Sequence, residues 1–216
     1  MELVRVDTQR AYKRIKEKII VLDLPPGATI DEGLLADELD MGLVPVREAL
    51  KLLAHDHLVD VMPKGLYVSE VNVIDLEQIS ELRLLLETYC ARQAAQNASP
   101  DDLVVMEALC NEQAGIPSEE HERLFDLDHK FHRAIASAAR NRYLADILED
   151  FFGLSQRLWY LVLPHLEFLP AAVEKHLDLV DAIRKRDADK AETIMASHVK
   201  EFYDQVHRIL VYTEIP

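Results

Sequence analysis

The sequence predicts a mainly α-helical protein in which a winged helix-turn-helix over residues 1–70 precedes an all-α bundle over residues 71–216. Three observations lead to this fold class. The first 70 residues contain three short segments of helical periodicity followed by two strand-like runs. Beyond about residue 71, apolar residues recur at helical spacing with no further strand signal. With 49% hydrophobic residues and only 6 Gly and 9 Pro, both parts can bury real cores.

The first predicted helix runs from Thr8, which can cap it, to about Leu22. Its apolar stripe has helical spacing and consists of Ala11, Ile15, Ile19 and Leu22. The segment Leu24-Pro-Pro-Gly27 then ends the helix, because proline lacks the amide hydrogen that a helix interior requires. The chain therefore begins with one amphipathic helix and a sharp turn.

Two more helices and a hairpin follow before the second domain. Pro45 suits the first position of the third helix, and a short turn separates that helix from the second. The segment Met62-Pro-Lys-Gly65 between two strand-like runs is a hairpin signal. The predicted bounds are 31–39 and 45–54 for the helices and 58–61 and 66–69 for the strands. This order is that of a winged helix-turn-helix.

The second domain is predicted to contain helices alone. Ser99 is a suitable cap, and Pro100 stands where a helix begins. No repeat at a fixed period interrupts the pattern. The predicted bounds are 73–97, 101–114, 118–139, 142–163, 170–185 and 187–210.

Charge and cysteine content limit the class of protein. The net charge of −15 argues against nonspecific binding of polyanions by the chain as a whole. The first ten residues lack the apolar segment of a signal peptide, and no apolar run approaches the roughly 20 residues that cross a bilayer. Cys90 and Cys110 lack CxxC spacing, which favours a reducing compartment. We therefore expect a cytoplasmic protein without membrane contact.

Motifs in both domains resemble one known family. The first domain carries Pro26-Gly27, Leu35-Ala36, Leu39, Pro45-Val-Arg-Glu-Ala-Leu50 and Gly65-Leu-Tyr-Val68. The second carries Asp128-x3-His132, Asn141, His176 and His198. Over nearly its whole length the chain resembles the GntR family of bacterial transcription regulators, and specifically its FadR-like branch. The resemblance implies a homodimer that binds operator DNA through the first domain and an effector through the second.

One segment departs from the family pattern. Where the family has Ser-Arg-Thr before Pro-Val-Arg, this chain has Gly42-Leu43-Val44. The missing arginine commonly contacts DNA in the family, so Leu43 bears on DNA affinity. A regulator with weakened DNA binding is therefore one alternative.

Candidate DNA-binding residues lie on the third helix, the wing and the first helix. Arg47 is in the first turn of the third helix, where a guanidinium can bind guanine or phosphate, and Lys51 lies one turn later. Lys64 is at the wing tip, and Arg10 belongs to a basic first helix. Residues 1–70 hold 9 Lys and Arg against 13 Asp and Glu, so binding needs local clustering, with acidic groups such as Glu32 turned away. The alternative is solvated surface charge.

Candidate metal ligands lie on inward helical faces of the second domain. Asp128 and His132 share an otherwise apolar face, and His176 and His198 do so on two other helices. A buried aspartate is costly unless it is paired or bound to a cation. One carboxylate and three imidazoles suit a divalent Zn, Ni, Mn or Fe ion. For any single histidine, the alternative is a hydrogen-bonded core residue.

Arg83 is the main candidate for binding an effector. It shares the inner face of the second domain's first helix with Ile79, Leu82, Leu86 and Cys90. A cation beside a metal with open positions suits a small organic acid. Arg157 and Trp159 are further candidates, although an exposed arginine and a packing tryptophan explain them equally well.

The sequence thus predicts a transcription regulator that responds to a small carboxylate metabolite. A metal-dependent enzyme acting on an organic acid is the alternative from another class. We expect no enzyme, because the sequence shows no nucleophile signature, no phosphate loop and no separate acid or base at the pocket.

Overall fold

The computed structural model of the protein describes residues 2–71, 73–117, 119–162 and 169–212. The chain divides into two compact units. The first comprises Met1–Asn72 and Gln156–Leu161, and the second comprises Val73–Ser155 and Val162–Pro216. One short helical segment near residue 160 therefore groups with the first unit, although we expected everything beyond residue 71 to form the second.

The first unit is a winged helix-turn-helix. Its described elements are α1 (Glu2–Ile20), β1 (Thr29–Ile30), α2 (Glu32–Glu38), α3 (Leu43–His55), β2 (Val59–Met62) and β3 (Gly65–Val68). The predicted start of the first helix at Thr8 is wrong, since α1 begins at Glu2. No glycine or proline precedes Thr8, and a threonine inside a helix costs well under about 1 kcal/mol.

The wing contains one strand more than the sequence predicted. The strand order is β1-β3-β2, and both pairs are antiparallel, with Thr29 opposite Tyr67. β1 has only two residues, which is too short to show alternation in the sequence. Gly27 leads into it with φ of +74°, and its amide donates to the Val68 carbonyl at 2.9 Å. A glycine suits this position because the left-handed region strains other residues.

The core of the first unit lies where α1 packs against α3. The buried residues of these two helices have the predicted helical spacing. They are Ala11, Ile15 and Ile19 on α1, and Val46, Ala49, Leu50 and Leu53 on α3. This packing leaves the opposite face of α3 exposed, including Arg47 and Lys51.

The second unit contains only helices among its described residues. α4 packs against α6, α8 and α9, and α5 packs against α6 and α8. Ser99 caps α5 as predicted, in a reciprocal box with Asp102. The bounds are α4 Val73–Asn97, α5 Pro100–Ala114, α6 His121–Ala138, α7 Arg142–Val162, α8 Leu169–Arg184 and α9 Ala188–Tyr212. Among the described residues, no helix combines the length and apolar character that crossing a bilayer requires.

Two neighbouring leucines of α3 provide a test of this packing. Leu53→Ala removes a side chain with 0% exposure and should reduce the stability of the first unit by about 2–5 kcal/mol. Leu52→Ala, at a position 42% exposed, should cost well under about 1 kcal/mol. Native-state hydrogen exchange of α1 and α3 amides measures the loss of stability in each variant. Equal loss of protection in the two variants would contradict the assigned core.

Candidate metal centre and DNA-contacting surface

Four ionisable side chains meet inside the helical unit. Asp128 and His132 lie one turn apart on α6, His176 lies on α8, and His198 lies on α9. All four are buried, and one ligand atom from each lies within 4.8 Å of the others. The tertiary structure therefore brings together the four residues that the sequence placed on inward faces.

The spacing of these atoms is the spacing of metal ligands. Nε2 of His198 lies 3.1 Å from Nε2 of His132 and 3.3 Å from Nε2 of His176. Oδ1 of Asp128 lies 3.3 Å from Nε2 of His176. Ligands about 2.0–2.1 Å from an ion, at angles of roughly 90–110°, are about 2.8–3.4 Å apart. All three distances fall within that interval.

Gln113 on α5 determines which nitrogen of His176 carries the hydrogen. Its Nε2 donates to the Leu124 carbonyl at 3.3 Å, so its Oε1 faces Nδ1 of His176, at 2.9 Å. A carbonyl oxygen can only accept, and Nδ1–H of His176 is therefore the donor. Nε2 of His176 then presents a lone pair to the Asp128 carboxylate. This nitrogen and an ionised Asp128 are both acceptors, and they repel each other unless a proton or a metal ion lies between them.

Asp128 supplies a second reason to expect a cation. Its Oδ2 accepts no hydrogen bond from any residue that the structure describes. Burial raises the pKa of Asp128, and the nearby His132 and Arg83 offset this only in part. Leaving a buried polar atom unsatisfied costs about 1–3 kcal/mol. The donor set fits a divalent ion better than it fits a cluster of hydrogen-bonded histidines.

The three imidazoles differ in their proton affinity. Burial, reinforced by His198 and His132, lowers the pKa of His176 well below 6.5. Burial, reinforced by His132, lowers the pKa of His198 to about 3. Both rings are therefore neutral at pH 7, which is the form that binds metals. Burial acts in the same direction on His132, but the carboxylates of Glu87 and Asp128 outweigh it and raise its pKa.

Arg83 on α4 is buried beside this cluster. Its Nε donates to Oε1 of Glu87 at 2.5 Å, and its Nη1 donates to the Tyr203 hydroxyl at 3.1 Å. The guanidinium carbon lies 4.2 Å from the centre of the Phe152 ring. Contacts with three helices thus hold this cation in place.

Glu87, which sequence reasoning missed, links Arg83 to the cluster. Its Oε2 accepts a hydrogen bond from Nδ1 of His132, which directs Nε2 of His132 toward the other ligands. Burial favours the neutral acid, yet the charges of Arg83 and His132 lower the pKa of Glu87 to about 2. The available signal was its position four residues after Arg83, the spacing of a helical ion pair. The predicted inner face included Leu82 instead, and that side chain is 40% exposed.

Arg157 and Trp159 belong to a different compact unit from the four-residue cluster. Both are buried and group with the first unit. The guanidinium of Arg157 donates to the carbonyl of Ser69, which belongs to the same unit. A contact of this kind supports a structural role.

The predicted DNA-contacting residues lie on the surface of the first unit. The predicted start of the third helix at Pro45 is wrong, since α3 begins at Leu43 and Arg47 is its fifth residue, just past the first turn. Arg47 is exposed there, and Lys51 is exposed one turn later, 2.8 Å from Glu48. Lys64 is exposed in the turn between β2 and β3. Arg10 is exposed on α1, 3.4 Å from Asp7. Each of these four cations is therefore reachable from solvent.

Glu32 limits the charge that this surface presents. Its carboxylate accepts a hydrogen bond from Nε of Arg47 at 2.7 Å. The expectation that Glu32 turns away from the contact surface is therefore wrong, because the turn between α2 and α3 brings the two side chains together. A cleft of about 670 Å³ between α3 and the wing is lined by both of them and by Leu43 and Met62.

Comparison with known proteins identifies the family. The sequence profile of the bacterial regulatory proteins, gntR family, matches residues 7–68, and that of the FCD domain matches residues 78–201. The chain belongs to the GntR family. It is a transcription regulator with an N-terminal helix-turn-helix and a C-terminal FCD domain.

Relatives of this GntR regulator are named as transcription regulators. The HTH-type transcriptional repressor RspR of Escherichia coli is 26% identical, with 93% of this chain and 89% of that protein covered. An HTH-type regulator in the unstable DNA locus of Streptomyces ambofaciens is 30% identical, with 97% and 89% covered. The solved structure of E. coli McbR/YncC shares the fold, with a TM-score of 0.82, 22% identity and 94% and 97% of the chains covered. The relatives are named as regulators and not as enzymes.

The buried pair of Arg83 and Glu87 predicts a large mutational effect. Glu87→Gln should lower the free energy of unfolding of the metal-free protein by about 3–5 kcal/mol, since it leaves Arg83 buried without its counter-charge. Because the pKa of Glu87 is depressed in the folded state, its contribution is present above about pH 4.5 and is lost as pH falls toward about 2. Urea unfolding should therefore show a smaller difference in free energy of unfolding between the wild type and Glu87→Gln at pH 3 than at pH 7. Asp126→Asn, which removes an exposed partner of Lys130, should have little effect at either pH.

Proposed function

We propose that this regulator binds a divalent metal through Asp128, His132, His176 and His198 and senses a small carboxylate at that metal. The observation that carries the proposal is the contact between Asp128 and Nε2 of His176, where a carboxyl group meets an imidazole lone pair among buried side chains. The FCD match supports the proposal as well. Zinc, nickel, manganese and iron all suit one carboxylate and three imidazoles.

The carboxylate is the ligand that the surroundings favour. A bound ion would offer its remaining coordination positions to oxygen ligands and supply positive charge there. Arg83 lies beside the cluster with Nε and Nη1 engaged, and a guanidinium has further donors on Nη2. A metal and a guanidinium together recognise an acid group through both charge and hydrogen bonds.

The first unit is the DNA-binding part of the proposed mechanism. An α-helix fits the major groove and meets base edges with residues near its N-terminus, and Arg47 is the fifth residue of α3. Lys51, Lys64 and Arg10 are then candidates for phosphate contacts. A homodimer would present two α3 helices to half-sites about 34–36 Å apart on operator DNA.

Effector and operator are coupled if the acid binds one arrangement of the dimer better than another. The direct test is fluorescence anisotropy of labelled operator DNA with metal-loaded and metal-free protein. An organic acid should change DNA affinity only in the metal-loaded protein. A response that persists after the metal is removed would place the effector elsewhere.

Removal of two ligands tests the metal centre. The variant His132→Ala with His198→Ala should lose stoichiometric metal, because two of four ligands are gone. Its melting temperature should no longer rise when metal is added, since that rise comes from binding to the folded state alone. The control pairs His55→Ala with His207→Ala, two exposed histidines outside the cluster. Elemental analysis that finds one ion per chain in the ligand variant would refute the assignment.

Replacement of Arg47 and Lys51 tests the DNA surface. Arg47→Ala should cost about 1–3 kcal/mol of operator affinity and relax the preference at one base position, if this side chain reads a base. Lys51→Ala should weaken binding to all sequences alike, as a phosphate contact does. Lys200→Ala, an exposed lysine of α9, is the control and should leave the affinity unchanged. Gel-shift titrations in which neither α3 variant differs from this control would rule out α3 as the contacting helix.

A further inference from the structure

Three buried charges surround the proposed metal position. They belong to Arg83, Glu87 and Asp128, and the side chain of each is about 3% exposed. Water cannot screen charges at this depth, so the balance among them determines which further charge the site accepts.

Glu87 already neutralises Arg83. Its Oε1 accepts from Nε of Arg83 at 2.5 Å, and its Oε2 accepts from Nδ1 of His132. A carboxylate with both oxygens held by donors, one of them a cation, stays ionised. The guanidinium therefore offers hydrogen bonds to a ligand while its charge is balanced from within the protein.

Charges beyond this group cancel in pairs. Lys175 on α8 forms an ion pair with Glu201 on α9. Glu149 on α7 lies 3.2 Å from Arg133 and 3.4 Å from His129. Within the second unit, Arg83, Glu87 and Asp128 are the buried arginine and carboxylate side chains among the described residues.

We propose that Glu87 makes this site selective for monoanionic carboxylates, an inference that rests on the proposed metal and carboxylate function. A divalent ion and Arg83 carry three positive charges, and Glu87 and Asp128 remove two of them. The site therefore has one net positive charge. One carboxylate balances it, and a second would be buried without a counter-charge.

Besides Glu87, the polar group that contacts Arg83 is a neutral hydroxyl, which lies close to a second one. The Tyr203 hydroxyl accepts from Nη1 of Arg83 and lies 3.2 Å from Oγ of the fully buried Ser155. Hydroxyls of this kind hydrogen-bond to uncharged oxygens and bring no charge of their own. They favour a monocarboxylate with a neutral hydroxyl or carbonyl oxygen over a dicarboxylate.

Isothermal titration calorimetry of zinc-loaded wild-type protein tests the selectivity. The probes are L-malate and its 4-methyl ester, which keep the same hydroxyl and adjacent carboxylate and differ by one charge at nearly equal size. The ester should bind at least about tenfold more tightly, since unit charges interact by more than about 1.4 kcal/mol at a few ångströms in a protein interior.

Glu87→Gln should change this preference. The substitution keeps the shape of the side chain and raises the net charge of the site by one. The tenfold difference in affinity between the ester and malate should therefore shrink to less than about threefold. Glu149→Gln removes the same charge from a half-exposed position and should leave the gap unchanged. Circular dichroism and zinc stoichiometry establish that each variant is folded and loaded.

Different results would contradict the charge selectivity and the proposed metal and carboxylate function. Malate binding as tightly as the ester to the wild type would overturn the charge selectivity and leave a metal-bound carboxylate effector in place. An unchanged gap in folded, zinc-loaded Glu87→Gln would overturn the role of Glu87. If Glu87→Gln does not fold, the wild-type comparison alone decides the selectivity. Binding of neither probe would overturn the carboxylate function and the selectivity with it.

Discussion

The helical unit depends on the need to give each buried charge a partner. Arg83, Glu87 and Asp128 lie where water cannot solvate them, and an unpaired charge at such depth costs several kcal/mol. Glu87 meets this need for Arg83 and also for Nδ1 of His132. Asp128 is left with an unsatisfied oxygen that faces no donor among the described residues. A cation bound at the proposed metal centre would supply a partner for this oxygen.

This requirement ties the helices of the second unit together. α6 contributes Asp128 and His132, α8 and α9 contribute one histidine each, and α4 and α5 contribute the outer partners Glu87 and Gln113. In the proposed function, metal binding, the stability of the unit and recognition of an acid would share the same side chains. A ligand that engages Arg83 or the metal acts directly on contacts between these helices, which is a physical route by which its binding can change their arrangement.

The first unit solves a different electrostatic problem. Its residues carry more acidic than basic side chains, and Glu32 pairs with Arg47 at the helix that would enter DNA. Leu43 stands in the first turn of α3, where the family pattern has an arginine. With few cations available for phosphates, base contacts and shape must contribute a large share of operator recognition. The sum of these features favours a regulator with modest DNA affinity over a strong general DNA binder.

By itself the sequence determined the order of domains, nearly all the helices and the inward positions of Asp128, His132, His176 and His198. These are local properties, since a helix of 3.6 residues per turn assigns each side chain to a face wherever the helix packs. Only the tertiary structure decided that Glu87 and Gln113 support the cluster, that Glu32 reaches Arg47 and that Arg157 groups with the first unit. Contacts between elements depend on how helices cross and how far each is shifted along its neighbour, and no single helix encodes these relations.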